Sequence, residues 1–498
     1  MKTRTIRSIL APAAMLSVAA CAELDVTNTN NPDITRALAS PSDVARIAKS
    51  SVNSWFLTST ETEPWHMLQV TADAATGNFG NFGMRFNNLE PRIAYNNNSA
   101  GSDARVTVAP WDQNYGALGA ANDALKAIAG GVVIPGTDGT DKAKAAALFA
   151  QAAALQNLSM LFDKAFVVTE RTDLAQAPEL LPYAQVRDSA LKSWDALITL
   201  TNGKTWSWDA DVIPLVQAPT AANVNRIANT MAARTLVYSA RTGAENTATN
   251  WARVLTYADK GITGNGLTDQ NFSIVADGVN NWYSLLTMYG NLDSWTRVDQ
   301  RLINRMAPNV PAKYAGTPVA PQSLDNRLAS AALPCGANPT ACIAGNTQDY
   351  VYLGTVIGDP ARGIFMQSPY YHRRWRNVSF AVANSAQSGQ IVPYVLAAEN
   401  DLLIAEALVR TNGDLNRAAT LVNKTRVTRG GLAPVAANAA ALLAAIDYER
   451  DVELLNTNGV SFYDRRRYDG LQAGTVRQLP IPAKELETLR LPIYTFGG

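Results

Sequence analysis

Histidine and cysteine are scarce: this chain of 498 residues has two of the first and three of the second. His66 and His372 lie far apart, so a zinc centre built on clustered His and Cys ligands has little to form from. No Gly-x-Ser-x-Gly elbow and no His-Glu-x-x-His helix occurs, so two common hydrolase signatures are missing. Acids are plentiful, yet no segment singles out the paired carboxyls that a glycosidase needs across a scissile bond. An excess of charge of one sign is also lacking, with 43 basic residues against 42 acidic. That balance gives no support to a nucleic-acid partner. After the first twenty residues no stretch is apolar enough to span a bilayer. The nearest, 145–162, is alanine-rich, carries Gln151, Gln156 and Asn157, and reads as a buried helix. What is present is an ordinary folding composition, 47% hydrophobic and 17% charged, enough for one large core or two.

The first segment, MKTRTIRSILAPAAMLSVAA, opens with Lys2, Arg4 and Arg7 and continues into an apolar run of signal-peptide length. Val18-Ala19-Ala20-Cys21 resembles a bacterial lipobox, in which the cysteine is acylated and becomes the mature N-terminus. Residues 1–20 are then a lipoprotein signal, Cys21 the lipid attachment point, and the asparagine-rich residues 21–32 a tether. Without Lys2, Arg4 and Arg7 the basic count falls from 43 to 40, against 42 acids. Multiple acyl chains, at ~0.8 kcal/mol per buried methylene, hold such a chain to a membrane without crossing it. The other cysteines, Cys335 and Cys342, lie in LPCGANPTACIAG, a loop composition. In an oxidising compartment they form a local disulfide.

Helical periodicity dominates the rest. Pro41 restarts a helix whose Val44, Ile47, Ala48 and Val52 share a face. Residues 77–108, rich in Gly and Asn with no helical period, read as a long loop, the kind that carries function. Pro110-Trp111 is expected to open a helix ending at Gly130-Gly131, and Asp141 to cap the next. Segments 183–200 and 223–240 form a second pair, and a further helix starts at Trp251 and ends at Gly264 and Gly266. Near the C-terminus, residues 396–409 and the helix from Leu415 flank a Thr411-Asn412-Gly413-Asp414 turn, with Gly413 suited to a left-handed C-cap and Asp414 to an N-cap. Helix pairs of this kind stack as TPR-like units, though the strict TPR signature is absent. The reading is a mainly α, single domain over 33–498. Helical pairs occupy about 110–265 and 395–431, a loop-rich insertion about 267–393, and a C-terminal segment 438–498.

Several segments together resemble the SusD/RagB family of outer-membrane lipoproteins. LLIAEALVRTNGDLNRAATLVNKTRVTRGGL is similar to that family's penultimate helix pair. DYERDVELLNTNGVSFYDRRRYD is similar to its Glu-Arg-x-x-Glu-Leu helix with the following Gly, aromatic and Asp-x-x-Arg. Leu479-Pro480-Ile481-Pro482 resembles its closing run. The departures are the missing second glutamate before Gly459 and the lost Asn-Pro after Glu487. The resemblance implies a TPR-supported helical scaffold, a place on the outer face of the outer membrane, and a SusC-like TonB-dependent transporter as partner. It implies binding rather than catalysis, no cofactor, and an oligosaccharide ligand, with peptides in some relatives.

A sugar platform needs flat rings amid polar groups. Asn280 to Trp295 supplies Trp282, Tyr283, Tyr289 and Trp295 among amides. The resemblance places the platform partly in this insertion and partly in the early loop, which pairs these rings with Phe79, Asn81 and Phe82. Asn280, Asn291, Arg297 and Asp299 are the polar candidates. A second group, Tyr370, Tyr371, His372 and Trp375 among Arg373, Arg374 and Arg376, suits either core or transporter contact. Arg465, Arg466 and Arg467 are read as structural, paired with Glu449, Glu453 and Asp464. Glu406 is read as the partner of a local arginine.

Overall fold

The computed structural model describes residues 34–264, 271–276, 282–290, 294–332, 348–375 and 390–498. The signal, the tether with Cys21, Cys335, Cys342, Asn280, Asn291 and Arg376 lie outside them.

The chain is mainly α, and successive helices stack on one another. Arg105–Ala129 packs on Gly139–Leu161, which packs on Tyr183–Thr201, then Ala221–Tyr238 and Trp251–Ala258. Across the insertion the stack continues through Ala397–Arg410, Leu415–Arg426 and Ala439–Glu453. Gly139–Leu161 is at the centre, touched also by Pro41–Ser59. From Ala145 to Leu161 every residue of it is buried, and seven alanines between 145 and 154 let its neighbours approach closely. The TPR-like reading of the pairs therefore holds, with small residues at the contacts.

Caps explain several boundaries. Thr220 accepts from Asn223 N at 3.2 Å, Asn250 from Arg253 N at 3.0 Å, and Asn438 from Ala441 N at 2.9 Å. Asp414 accepts from both Asn416 N and Arg417 N, as the turn chemistry predicts. The left-handed residue there is Asn412, at φ 54°, and not Gly413. Gly413 instead donates its N–H to Leu408 O at 2.7 Å, and a Cβ on it would meet the Leu408 side chain at 3.0 Å. This is a Schellman closure with asparagine in the αL position. Three other expectations shift. Pro110 lies inside a helix that begins at Arg105, because a proline so near the start removes only one backbone bond and buried Val106 anchors the first turn. Asp138 occupies the cap position before Gly139–Leu161, and Asp141 sits in the first turn, paired with Lys204 at 2.8 Å. The helix from Trp251 ends at Ala258, ahead of Gly261.

The insertion is closed at its neck by an antiparallel pair, Phe272–Ala276 with Gln390–Val395, in register Phe272 opposite Val395. Tyr350–Tyr352 pairs in parallel with Leu328–Ala332 and antiparallel with Tyr370–His372. Buried ion pairs fasten this sheet to the helices. Arg327 meets Asp325 and Glu449 at 2.7 Å and Glu453 at 3.1 Å. Arg374 and Arg429 reach the same Glu453 at 2.7 and 2.9 Å.

The arginine run is structural, with Asp464 the one expected partner it keeps. Arg467 makes a two-pronged contact with Glu406 at 2.7 and 2.8 Å and a third bond to Asp464. Arg465 pairs with Asp451 at 2.5 Å. Arg466 donates to the carbonyls of Tyr238 and Arg477. Glu449 and Glu453 belong to Arg327 instead, and Asp464 also holds Arg450 at 2.8 Å. Burial opposes ionisation of Glu406, but the Arg467 guanidinium holds its carboxyl down to about 2. Glu406→Gln should cost about 3–5 kcal/mol, read as a lowered urea midpoint, because it leaves Arg467 short of its counter-charge in the interior. In the native chain this pair contributes fully above the ordinary value of 4.5 and loses its contribution as pH falls toward 2.

Candidate functional site

A two-residue ladder joins the early loop to the insertion. Ala75 and Thr76 pair antiparallel with Val298 and Arg297. The ladder sets the segment that follows its first strand, 77–87, beside the residues that precede its second, 282–290 and 294–296. Further ties hold both in place. Leu286 N donates to Thr60 O at 2.9 Å, Thr296 Oγ1 to Tyr289 O at 3.1 Å, Asn456 Nδ2 to Gly290 O at 3.1 Å, and Asn78 Nδ2 to Asp359 O at 2.8 Å.

The early segment is not wholly irregular. Asn81–Gly83 forms a 3-10 turn and Met84–Asn87 a single helical turn. At the end of the first turn Phe82, at φ 59°, and Gly83, at φ 68°, are both left-handed. Gly83 is required there, since a Cβ would stand 2.7 Å from Val106 Cγ2. Phe82 has no such licence, and its conformation costs on the order of 1–3 kcal/mol. The kink tips the Phe82 ring into the insertion's aromatics. Its centroid lies 5.0 Å from Tyr289 and 5.5 Å from Trp295. Phe79 is 5.4 Å from Trp295, and Tyr289 meets Trp295 edge-on at 5.0 Å. Tyr283 and Leu285 belong to the same half-buried cluster as Tyr289 and Trp295. Phe79, Phe82, Tyr283, Tyr289 and Trp295 are all half-buried, Asn81 is exposed, and the patch rests on buried Val70, Ala75 and Met84.

Other sequence candidates are placed elsewhere. Trp282 is 4% exposed and packs on Phe56 at 5.2 Å, inside the core. Arg297 is buried and donates to Thr355 O at 3.0 Å. Asp299 is buried, caps Gln300–Met306 by accepting from Arg301 N at 2.8 Å, and donates its own N–H to Ala74 O. Tyr370, Tyr371 and His372 are buried in the core, whereas Arg374 and Trp375 are half-buried.

Three residues escaped the sequence reading. His66 is fully buried beneath the patch, its ring stacked on Phe82 at 5.5 Å, and burial pushes its pKa down to about 3, so it is a neutral floor. Phe86 is 43% exposed, and the Arg85 guanidinium lies 5.7 Å from its ring centroid. The sequence signal was Met84-Arg85-Phe86 within the early loop, where two large side chains follow a glycine turn.

Among the described residues no group of three or more His, Cys, Asp or Glu is placed to hold a metal, and no helix is long and apolar enough to cross a membrane. An open cleft of about 540 Å³ lies between Met306, Leu324, Arg426, Val435 and Tyr448. It has one aromatic, whose hydroxyl already donates to Asp325 at 2.8 Å.

Beneath the ladder Asp73, Glu90 and Asp299 face Arg92, Arg301 and Lys313. Arg92 meets Asp73 at 2.7 Å, Arg301 reaches all three acids, and Lys313 pairs with Glu90. Burial, reinforced by the Asp73 charge, pushes Asp299 up to about 7 against the pull of Arg301. The folded chain then keeps a proton that the unfolded chain releases above 3.8. The stabilisation is complete below that value and is lost as pH rises through about 7. Asp299→Asn should flatten the fall in urea stability between the ordinary value of 3.8 and about 7, and an unchanged slope there would contradict the assignment.

No protein-family model matches the chain, and no curated protein matches it by sequence. Solved structures do. A SusD superfamily protein from Bacteroides vulgatus is similar over 91% of this chain and 97% of its own, with 15% identity and a TM-score of 0.60. A SusD-like carbohydrate binding protein from Bacteroides fragilis is similar over 86% of both chains, with 16% identity and a TM-score of 0.57. Surface glycan-binding protein A from Bacteroides uniformis is similar over 89% of this chain and 97% of its own, with 16% identity and a TM-score of 0.57. The chain therefore has a SusD-like fold.

Proposed function

We propose that this chain is a nutrient-binding lipoprotein of the SusD type, which captures an oligosaccharide on the aromatic patch and releases it unbroken to a SusC-like TonB-dependent transporter. The observation that carries the reading is the meeting of Phe79 and Phe82 with Tyr289 and Trp295 in one half-buried cluster on a SusD-like fold. Tilted rings offer apolar faces to the C–H surface of a pyranose, and exposed Asn81 supplies an amide beside them. Similar structures described as carbohydrate-binding and glycan-binding proteins support the ligand class. Cys21, acylated, tethers the chain to the outer face of the outer membrane, where such a transporter opens. A surface glycoside hydrolase is the competing reading, and a peptide is the competing ligand.

Full-length protein in mild detergent, applied to glycan and peptide arrays, tests the ligand. Trp295→Ala should weaken glycan binding by ~1–3 kcal/mol with the fold intact. Trp282→Ala should instead lower stability by about 3–5 kcal/mol. Reducing ends that accumulate on incubation with the bound glycan would replace capture by catalysis.

A further inference from the structure

Arg85 stands three residues beyond Phe82, in the helical turn Met84–Asn87. It is half-buried, lies between buried Met84 and exposed Phe86, and its guanidinium approaches the Phe86 ring. Among the described residues no carboxylate lies within ion-pair distance of it, and its guanidinium finds no hydrogen-bond acceptor. Acids earlier and later in this stretch of chain are engaged elsewhere. Glu63 faces Arg105 at 3.4 Å, and Glu90 is taken by Arg301 and Lys313. Most buried or half-buried arginines of this chain behave differently. Arg327, Arg374, Arg429, Arg450 and Arg467 are each matched to carboxylates.

We propose that the patch selects acidic oligosaccharides, whose uronate carboxylates dock on Arg85 while their ring faces rest on Phe82 and Trp295. This rests on the reading of the patch as the ligand face and adds the charge class of the ligand. A planar guanidinium presents paired N–H donors that match a carboxylate, and the Phe86 ring, 5.7 Å away, flanks it on one side. A half-buried cation has already lost part of its hydration, so a carboxylate gains more there than on an open surface. Aromatic faces alone read neutral and acidic sugars alike, so the guanidinium is what discriminates. Sugar is favoured over acidic peptide because the neighbouring exposed groups, Asn81 and Ser294, suit hydroxyls rather than a second charge.

The test is calorimetry of the full-length protein with oligosaccharides from polygalacturonate, alginate and glucuronoxylan, each beside its carboxyl-reduced counterpart. At least one acid should bind about tenfold more tightly than its reduced form at low salt, and the preference should shrink as salt rises. Arg85→Gln should abolish the preference while leaving the reduced form bound as before, and Arg85→Lys should keep part of it. Equal affinity within every pair, or a preference that survives Arg85→Gln, overturns the inference. Neutral sugars that depend on Trp295 without any charge preference would overturn it and leave the ligand-face reading standing. Acidic peptides bound where no sugar binds would overturn both.

Discussion

The insertion holds its place because Arg327 is buried among three carboxylates. Asp325 belongs to the insertion, whereas Glu449 and Glu453 belong to the helix Ala439–Glu453. Arg374, Arg429 and Asp349 extend the cluster into the insertion's sheet and the preceding helix pair. Ion pairs this deep give little net stability relative to an apolar core, because desolvation consumes most of the attraction. Their value here is geometric. Each guanidinium needs its carboxylates at set positions, so a loop-rich segment with few regular strands is fixed in one register on a helical frame.

A second cluster does the same for the patch. Asp73 and Asp299 sit together at one end of the two-residue ladder, the end opposite the ring-bearing segments, and Arg301 joins them to Glu90. The rings are therefore carried by two segments more than two hundred residues apart that are locked immediately behind the surface they share. The left-handed Phe82 fits this arrangement, since backbone strain persists where surrounding structure over-determines it.

The frame was legible because its signals are local. Apolar spacing gave the helices, and Asp414 sits where its carboxylate reaches two N–H groups of the next turn. Local signals also misassigned what tertiary context decides. Gly413 looked like the left-handed residue, yet close approach to Leu408 claims it and Asn412 takes the turn. In the insertion, Trp282 and Trp295 sit in similar company of amides, and nothing local says that one turns under Phe56 while the other stays at the surface. Arg297 and Asp299 looked like free polar groups, but a carbonyl and a helix start use them. Arg85 passed unnoticed because only the folded chain shows which arginines have found a carboxylate.

The central claim is that these rings, and not the open cleft beside Tyr448, receive the ligand. A crystal structure of the protein with an oligosaccharide selected from the array measures this directly. The account expects a sugar ring within van der Waals contact of Phe82 and Trp295 with its glycosidic bonds intact. A sugar seated instead between Leu324, Val435 and Tyr448, or one cleaved in place, would contradict it.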